Sequence, residues 1–280
     1  MKNLLKPELN YYNVHKEYYQ KRLSNKPDLI PLLSHEQEDE LKKAYQEYET
    51  LFDENHLNQL KQYSFLKPTE KKAYLNLFQS SLIYFRKLNQ NSKYITGTKV
   101  GDCPFCEHGK PSTLDHIVPK SAEDGFPEFC DNALNLIPMC SNCNSHKGKR
   151  FKNKAGELEL VNLYRDTLPD VQYLFANIFI VENDNLTIKF FVDKNTIADS
   201  DLARRIDNTY DYLGIYNYYI ELSENRIDSL KNQIQDFKSS CTKDRIKECL
   251  KIYCTEKNFW EHVLIRAVVQ NNAVFDLLYN

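Results

Sequence analysis

Two CxxC pairs, CPFC at 103–106 and CSNC at 140–143, enclose a 33-residue insert that carries Asp115, His116 and Asn135, and Asn144 follows directly. Each CxxC turn brings two sulfurs to one ion, and a second pair closes a tetrahedral shell of thiolates at about 2.3 Å. Four protein ligands leave no position open to substrate, so a zinc held this way is structural. In zinc-finger peptides the apparent binding energy is roughly 10–16 kcal/mol, ample to fold a small module. A redox CxxC stands singly after a strand, unlike this frame, whereas spacing alone leaves an iron–sulfur cluster on the four cysteines open. Cys130, isolated in FPEFCDN, reads as a packing residue, and His108, just outside the first pair, as a surface one. Inside the frame an acid, an imidazole and two amides recur in one order. Each alone is ordinary decoration or turn chemistry; together they offer a base and oxygen ligands.

The pattern CPFC, then LDHIVPK, then NALNLIPMCSNCNSHKG resembles the HNH endonucleases, the ββα-metal nucleases, in their zinc-stapled McrA-like form. The resemblance covers about residues 100–150. The run DHIVPK…FPEF…NLIPMCSNCNSHKGK is also similar to HNH proteins of bacterial anti-phage defence systems such as the Septu type. Cleaving a phosphodiester needs an activated water, a cation on the developing charge and help for the leaving oxygen. The resemblance makes His116 the general base, a role that suits an imidazole titrating near neutrality. It makes Asp115 a metal ligand, although on a strand Asp115 would point away from His116 unless a local turn brings both to one site. Asn144 takes the final position of the triad and coordinates the same ion, and Asn135 the middle position, holding the loop and orienting the imidazole. The ion would be Mg²⁺ or Mn²⁺, hard cations that accept few protein oxygens and keep waters and a phosphate. His146 departs from the pattern; it could replace Asn144, touch the phosphate or face solvent, and the triad spacing favours Asn144.

KGKRFKNK places Lys147, Lys149, Arg150, Lys152 and Lys154 within eight residues. Such a run is usually a solvated face. Next to this triad it becomes a candidate phosphate clamp, with Lys147 and Lys149 foremost, then Arg150, and Lys120 beyond His116. No residue identifies itself as a reader of bases. The expected function is a metal-dependent endonuclease acting on DNA ahead of RNA, and an effector of anti-phage defence. The alternative is a non-catalytic zinc ribbon that binds nucleic acid or protein. Such a ribbon has no need of Asp115, His116, Asn135 and Asn144 together. Flanking helices could also dock a protein partner such as an ATPase.

The elements that must position this set are helical. A chain of 280 residues with 41% apolar and 27% charged side chains reads as soluble and globular. Its net charge of −2 does not argue against a nucleic-acid partner, since local patches decide that. No apolar stretch is long enough to span a membrane and MKNLLKPELNYYN lacks a signal-peptide core, so the cytoplasm is expected, where cysteines stay reduced. Residues 1–30 read as an extended arm or short helices. Ser34 and Gln37 form a capping box before the stripe Leu41, Ala44, Tyr45, Tyr48, Leu51, Phe52. A second helix is expected from Thr69, after Pro68, through Tyr74, Leu75, Leu77, Phe78 and Leu82 towards Leu88. After the module, Asn183-Asp184-Asn185 divides a β-hairpin. Asp199 is a candidate N-cap before the stripe Ile206, Tyr210, Leu213. Further stripes follow: Ile227, Leu230, Ile234, Phe237, then Trp260, Val263, Leu264, Ala267, Val268. Cys241, Cys249 and Cys254 read as small buried hydrophobes. The expected fold is α+β: a helical region over 1–96, a zinc-bound ββα-metal module over 97–154, and a β-hairpin plus helices over 155–280.

Overall fold

Tyr11, His15, Tyr19 and Arg22 recur at helical spacing and form the buried face of α1 (Tyr11–Asn25), which Asn10 caps through its side chain. An extended arm or short helices were expected here; a stripe made of tyrosine, histidine and arginine escapes a count of apolar residues. In α2 (His35–Asp53) the capping box is complete, the Ser34 hydroxyl accepting from Gln37 N and the Gln37 carbonyl accepting from Ser34 N. Leu41, Ala44, Tyr45, Tyr48 and Phe52 are its buried stripe. The single helix expected from Thr69 is instead α3 (Pro68–Tyr74), a 3₁₀ turn over Leu75–Leu77, and α4 (Ile83–Asn91). Pro68 occupies the first turn, where its missing N–H costs nothing. The break has a tertiary cause, because α1 supplies donors to carbonyls that a continuing helix would use. Arg22 Nη2 donates to Asn76 O at 2.9 Å and Tyr18 Oη to Leu77 O at 2.9 Å. The computed structural model describes residues 1–78 and 83–280, so Leu82 lies outside the described residues.

The centre of the chain forms β1 (Thr113–His116), antiparallel β2 (Leu136–Met139) and the short helix α5 (Ser141–Lys147). Asp115 pairs with Ile137 and His116 with Leu136. This small ββα unit shares its core with the N-terminal helices. Phe126, Phe129, Cys130, Ala133 and Leu134 lie in one buried cluster with Tyr11, Tyr19, Tyr45, Tyr48 and Tyr74. The Phe129 ring meets Tyr48 at 4.7 Å, Tyr45 at 5.5 Å and Tyr63 at 6.0 Å. Lys2–Leu168 therefore makes one compact unit, and Pro169–Asn280 with Met1 makes another.

In the second unit β3 (Leu174–Ile180) pairs antiparallel with β4 (Leu186–Val192), and Asn183 and Asp184 adopt positive φ in the turn between them. Asp199 caps α6 (Ser200–Tyr212), accepting from Asp201 N and Leu202 N. Ile206, Tyr210 and Leu213 are fully buried. α7 (Ile215–Lys238) buries Ile227, Leu230 and Ile234 but leaves Phe237 half exposed, unlike its expected place in the stripe. α8 (Lys243–Tyr253), α9 (Trp260–Gln270) and α10 (Asn272–Tyr279) complete the unit, with Val263, Leu264 and Val268 buried and Ala267 only half so. Cys249, expected inside, is exposed because Ile246 and Leu250 take the buried positions of α8, and Cys241 and Cys254 are half-buried. The fold is α+β, and among the described residues no helix is long and apolar enough to cross a membrane.

Candidate active site

Cys103, Cys106, Cys140 and Cys143 are buried, with all four sulfurs within 4.8 Å of one another. Sulfurs around a tetrahedral zinc lie about 3.8 Å apart at the usual bond length. Cys106 and Cys140 stand at that separation, 3.8 Å. The donor set thus fits a zinc ion, which the four thiolates could hold. The first knuckle closes through Cys103 N–H to Gly109 O at 2.6 Å. A Cβ at Gly109 would lie 3.0 Å from Cys140 Cβ and 3.1 Å from its sulfur, so glycine lets the two knuckles meet. Cys130 stays outside this cluster, buried with its thiol on Tyr74 O at 3.5 Å, and His108 is exposed.

β1 delivers Asp115 and His116 to the border of one cleft of about 350 Å³, also lined by Leu75, Pro119, Lys120, Ser121 and Lys149. The His116 imidazole is buried, edge-on to the Phe78 ring at 4.5 Å. Its Nε2 lies 2.9 Å from Cys130 O. A carbonyl only accepts, so Nε2 carries the hydrogen and Nδ1 keeps the lone pair. Burial holds this imidazole well below the usual histidine range, and Lys120 and Lys147 push the same way against the Cys130 carbonyl. The ring is neutral at neutral pH.

Asn135 is fully buried and its side chain is saturated. Its oxygen accepts from Val118 N–H at 2.7 Å and Tyr48 Oη at 3.0 Å, while its nitrogen donates to Val118 O and Phe129 O, each at 3.1 Å. It ties Val118, two residues after His116, to Phe129. None of these bonds reaches the imidazole; the Cys130 carbonyl orients the ring.

Thr113 and Asp115 project from one face of β1, as alternate residues do. α5 packs there. Asn144 Nδ2 donates to Thr113 Oγ1 at 3.0 Å, and that hydroxyl donates onward to Met139 O at 2.9 Å, which leaves the Asn144 carbonyl oxygen for another partner. Lys147, one turn on, is buried, donates to His116 O at 2.7 Å and lies 2.8 Å from Asp115 Oδ2. That ion pair lacks hydrogen-bond alignment, and Asp115 Oδ2 has no hydrogen-bond partner among the described residues. Lys147, expected on the phosphate-facing surface, is turned inward. His146 is exposed with Nδ1 on Asn142 O at 2.9 Å, away from the Thr113 face.

Of the remaining cations, Lys120 and Lys149 line this cleft, whereas Arg150 lines a separate pocket with Lys147 and Phe151. Lys120 Nζ sits 3.7 Å over the Phe78 ring, and burial lowers its pKa. Lys149 is exposed and reaches Asp124 at 3.1 Å and Ser121 at 3.3 Å; Arg150 is exposed with Nη1 on His146 O at 2.8 Å. An adjoining cleft of about 510 Å³ shares Pro119 and Lys149 and adds Lys61 and Lys152, which extends the cationic border. Lys61, Phe78 and the Cys130 carbonyl were missed in the sequence. A backbone carbonyl leaves no signature there, and Lys61 comes from a distant segment.

Residues 102–150 match the family model for HNH endonuclease. The chain carries an HNH endonuclease domain, and its four clustered cysteines fit the zinc-stapled form of that domain. No curated protein and no solved structure matches the chain.

Proposed function

We propose that this protein is a metal-dependent HNH endonuclease that hydrolyses phosphodiester bonds, of DNA ahead of RNA. The observation that carries the proposal is His116 at a cleft border, neutral, with Nε2–H committed to the Cys130 carbonyl and Nδ1 left basic. Nδ1 would take the proton of the attacking water. The Cys130 carbonyl would then steady the imidazolium as charge develops on the ring. Asp115 and the Asn144 carbonyl oxygen, brought to one face of β1, would hold a hard dication, Mg²⁺ or Mn²⁺, which supplies charge opposite the scissile phosphate. Asp115 Oδ2, which accepts no hydrogen bond among the described residues and has the Lys147 ammonium 2.8 Å away, fits that role. Asn135 holds the Val118 and Phe129 backbone around the base, and Lys147 braces Asp115 against the His116 carbonyl. Lys120 and Lys149 would take the flanking phosphates, with Lys61 and Lys152 further along; Arg150, exposed but outside both clefts, would meet only a strand that runs past them. The cytoplasm is the expected setting, and a role in anti-phage defence beside a partner such as an ATPase rests on the family resemblance alone.

One observation favours the non-catalytic reading: the Lys147 ammonium already lies against Asp115. Incubating supercoiled plasmid, linear DNA and tRNA with and without Mg²⁺ decides between the two. The nuclease reading expects Mg²⁺-dependent cleavage by the wild type, none by His116→Ala with unchanged zinc content, and none in a chelator that leaves zinc bound. Equal cleavage by His116→Ala would sink the base assignment. Binding without cleavage in every arm would support the zinc ribbon.

A further inference from the structure

His15 lies outside the HNH domain, on α1, yet it is buried beside the turn that orients His116. Its Nδ1 stands 2.9 and 3.0 Å from the two oxygens of Asp131, a carboxylate with no exposed surface. Tyr45 Oη donates to the same carboxylate at 3.3 Å, and His15 Nε2 meets Tyr74 Oη at 2.9 Å. Asp131 directly follows Cys130, whose carbonyl takes the His116 Nε2–H. Three successive residues of this turn are therefore held from different elements. Phe129 O accepts from Asn135, the Cys130 thiol reaches Tyr74 O, and Asp131 is gripped by His15 and Tyr45.

We propose that His15 is a positioning residue of the candidate active site: by gripping Asp131 it fixes the peptide plane of Cys130, and so the tautomer and rotation of the His116 imidazole. The inference rests on His116 being the base. A buried imidazole–carboxylate pair is a poor way to gain stability, since a well-packed apolar pair of similar volume is often as good or better. An apolar pair could not set the rotation of a peptide group. A hydrogen bond to a carboxylate flanking that group does, because it restricts the adjoining backbone dihedrals. Backbone bonds bracket the Cys130 carbonyl, Cys130 N–H to Pro127 O at 3.1 Å and Asn132 N–H to Phe129 O at 3.2 Å, and the grip on Asp131 adds a side-chain restraint between them.

The test uses full-length, zinc-loaded protein with ¹⁵N-labelled histidines, of which there are seven. The His116→Ala spectrum identifies the His116 ring nitrogens. In the wild type those signals should show a proton on Nε2 alone. His15→Leu should move them towards a mixed tautomer and lower kcat on plasmid on the order of ten-fold, the usual scale for losing an orienting partner. KM and zinc content should stay unchanged. His15→Asn, which keeps a donor near the Nδ1 position, should restore most of both readouts. Tyr45→Phe removes one bond to Asp131 at constant volume and should shift the signals less, in the same direction. Unchanged His116 signals in a folded His15→Leu protein would overturn the proposal. If His15→Leu fails to fold, Asp131→Asn and Tyr45→Phe carry the comparison, and unmoved signals in both overturn it. If His116→Ala itself still cleaves, the base assignment fails while the nitrogen signals still report whether His15 aims the ring.

Discussion

Glu128 carries a carboxyl into the core two residues before Cys130; it is 1% exposed and its Oε1 lacks a hydrogen-bond partner among the described residues. Burial pushes this carboxyl up from 4.5 to about 7, against a smaller pull from its own backbone amide and Lys71. In the unfolded chain the group ionises first, so its contribution is complete below its ordinary range. That contribution is lost as pH rises through 4.5 to about 7. The loss is on the order of 3 kcal/mol. Glu128→Gln should remove this slope, making the variant more stable than the wild type above neutrality and similar below the ordinary carboxyl range. Thermal melting of both across pH checks it, and parallel curves would contradict it. At this scale the sequence exposes residue types in fixed order. Asp115, His116, Asn135 and Asn144 were legible because their order around two CxxC pairs is specific. The inward turn of Lys147 was not, because a lysine in a basic run gives no sign of where its stem lies.

α5 shows how an element too weak to stand alone can hold chemistry. Seven residues are fewer than an isolated helix needs in water. Cys140 caps its start, Cys143 N–H reaching Cys140 Sγ at 3.4 Å, and Gly148 ends it with φ near +55°. A zinc among the four sulfurs would bind this helix to the CPFC knuckle. Cys140→Ser should therefore lose zinc and release Asn144 from Thr113 and Lys147 from Asp115. Metal analysis with thermal melting reads this out, and a folded, zinc-loaded variant would contradict the four-cysteine site. Among the elements, α2 was legible because capping box and stripe agree, and the hairpin because Asn183 and Asp184 tolerate positive φ. α1 was not, since its buried face is polar and aromatic. The break after Tyr74 was not either, since donors on α1 cause it.

At the scale of the whole unit Lys2–Leu168, the HNH module and the helices share one core. Tyr48 completes Asn135, and Tyr45, Tyr74 and His15 gather at the turn beside His116. A fragment of residues 97–154 should therefore stay unfolded even with zinc, whereas residues 1–168 should melt cooperatively and resist proteolysis. Circular dichroism and limited proteolysis of the two fragments test this, and a folded short fragment would show that the helices are dispensable.

The sequence by itself determined the four-cysteine frame, the ordered acid–imidazole–amide set and the helical character of the flanks. Those depend on residue type and spacing, which covalent connectivity preserves. Only the tertiary structure decided which nitrogen of His116 is basic, which face Lys147 takes and that His15 meets Asp131. Each of these depends on a partner more than 10 residues away. Which distant groups meet is settled by packing of the shared core, and no local pattern records it.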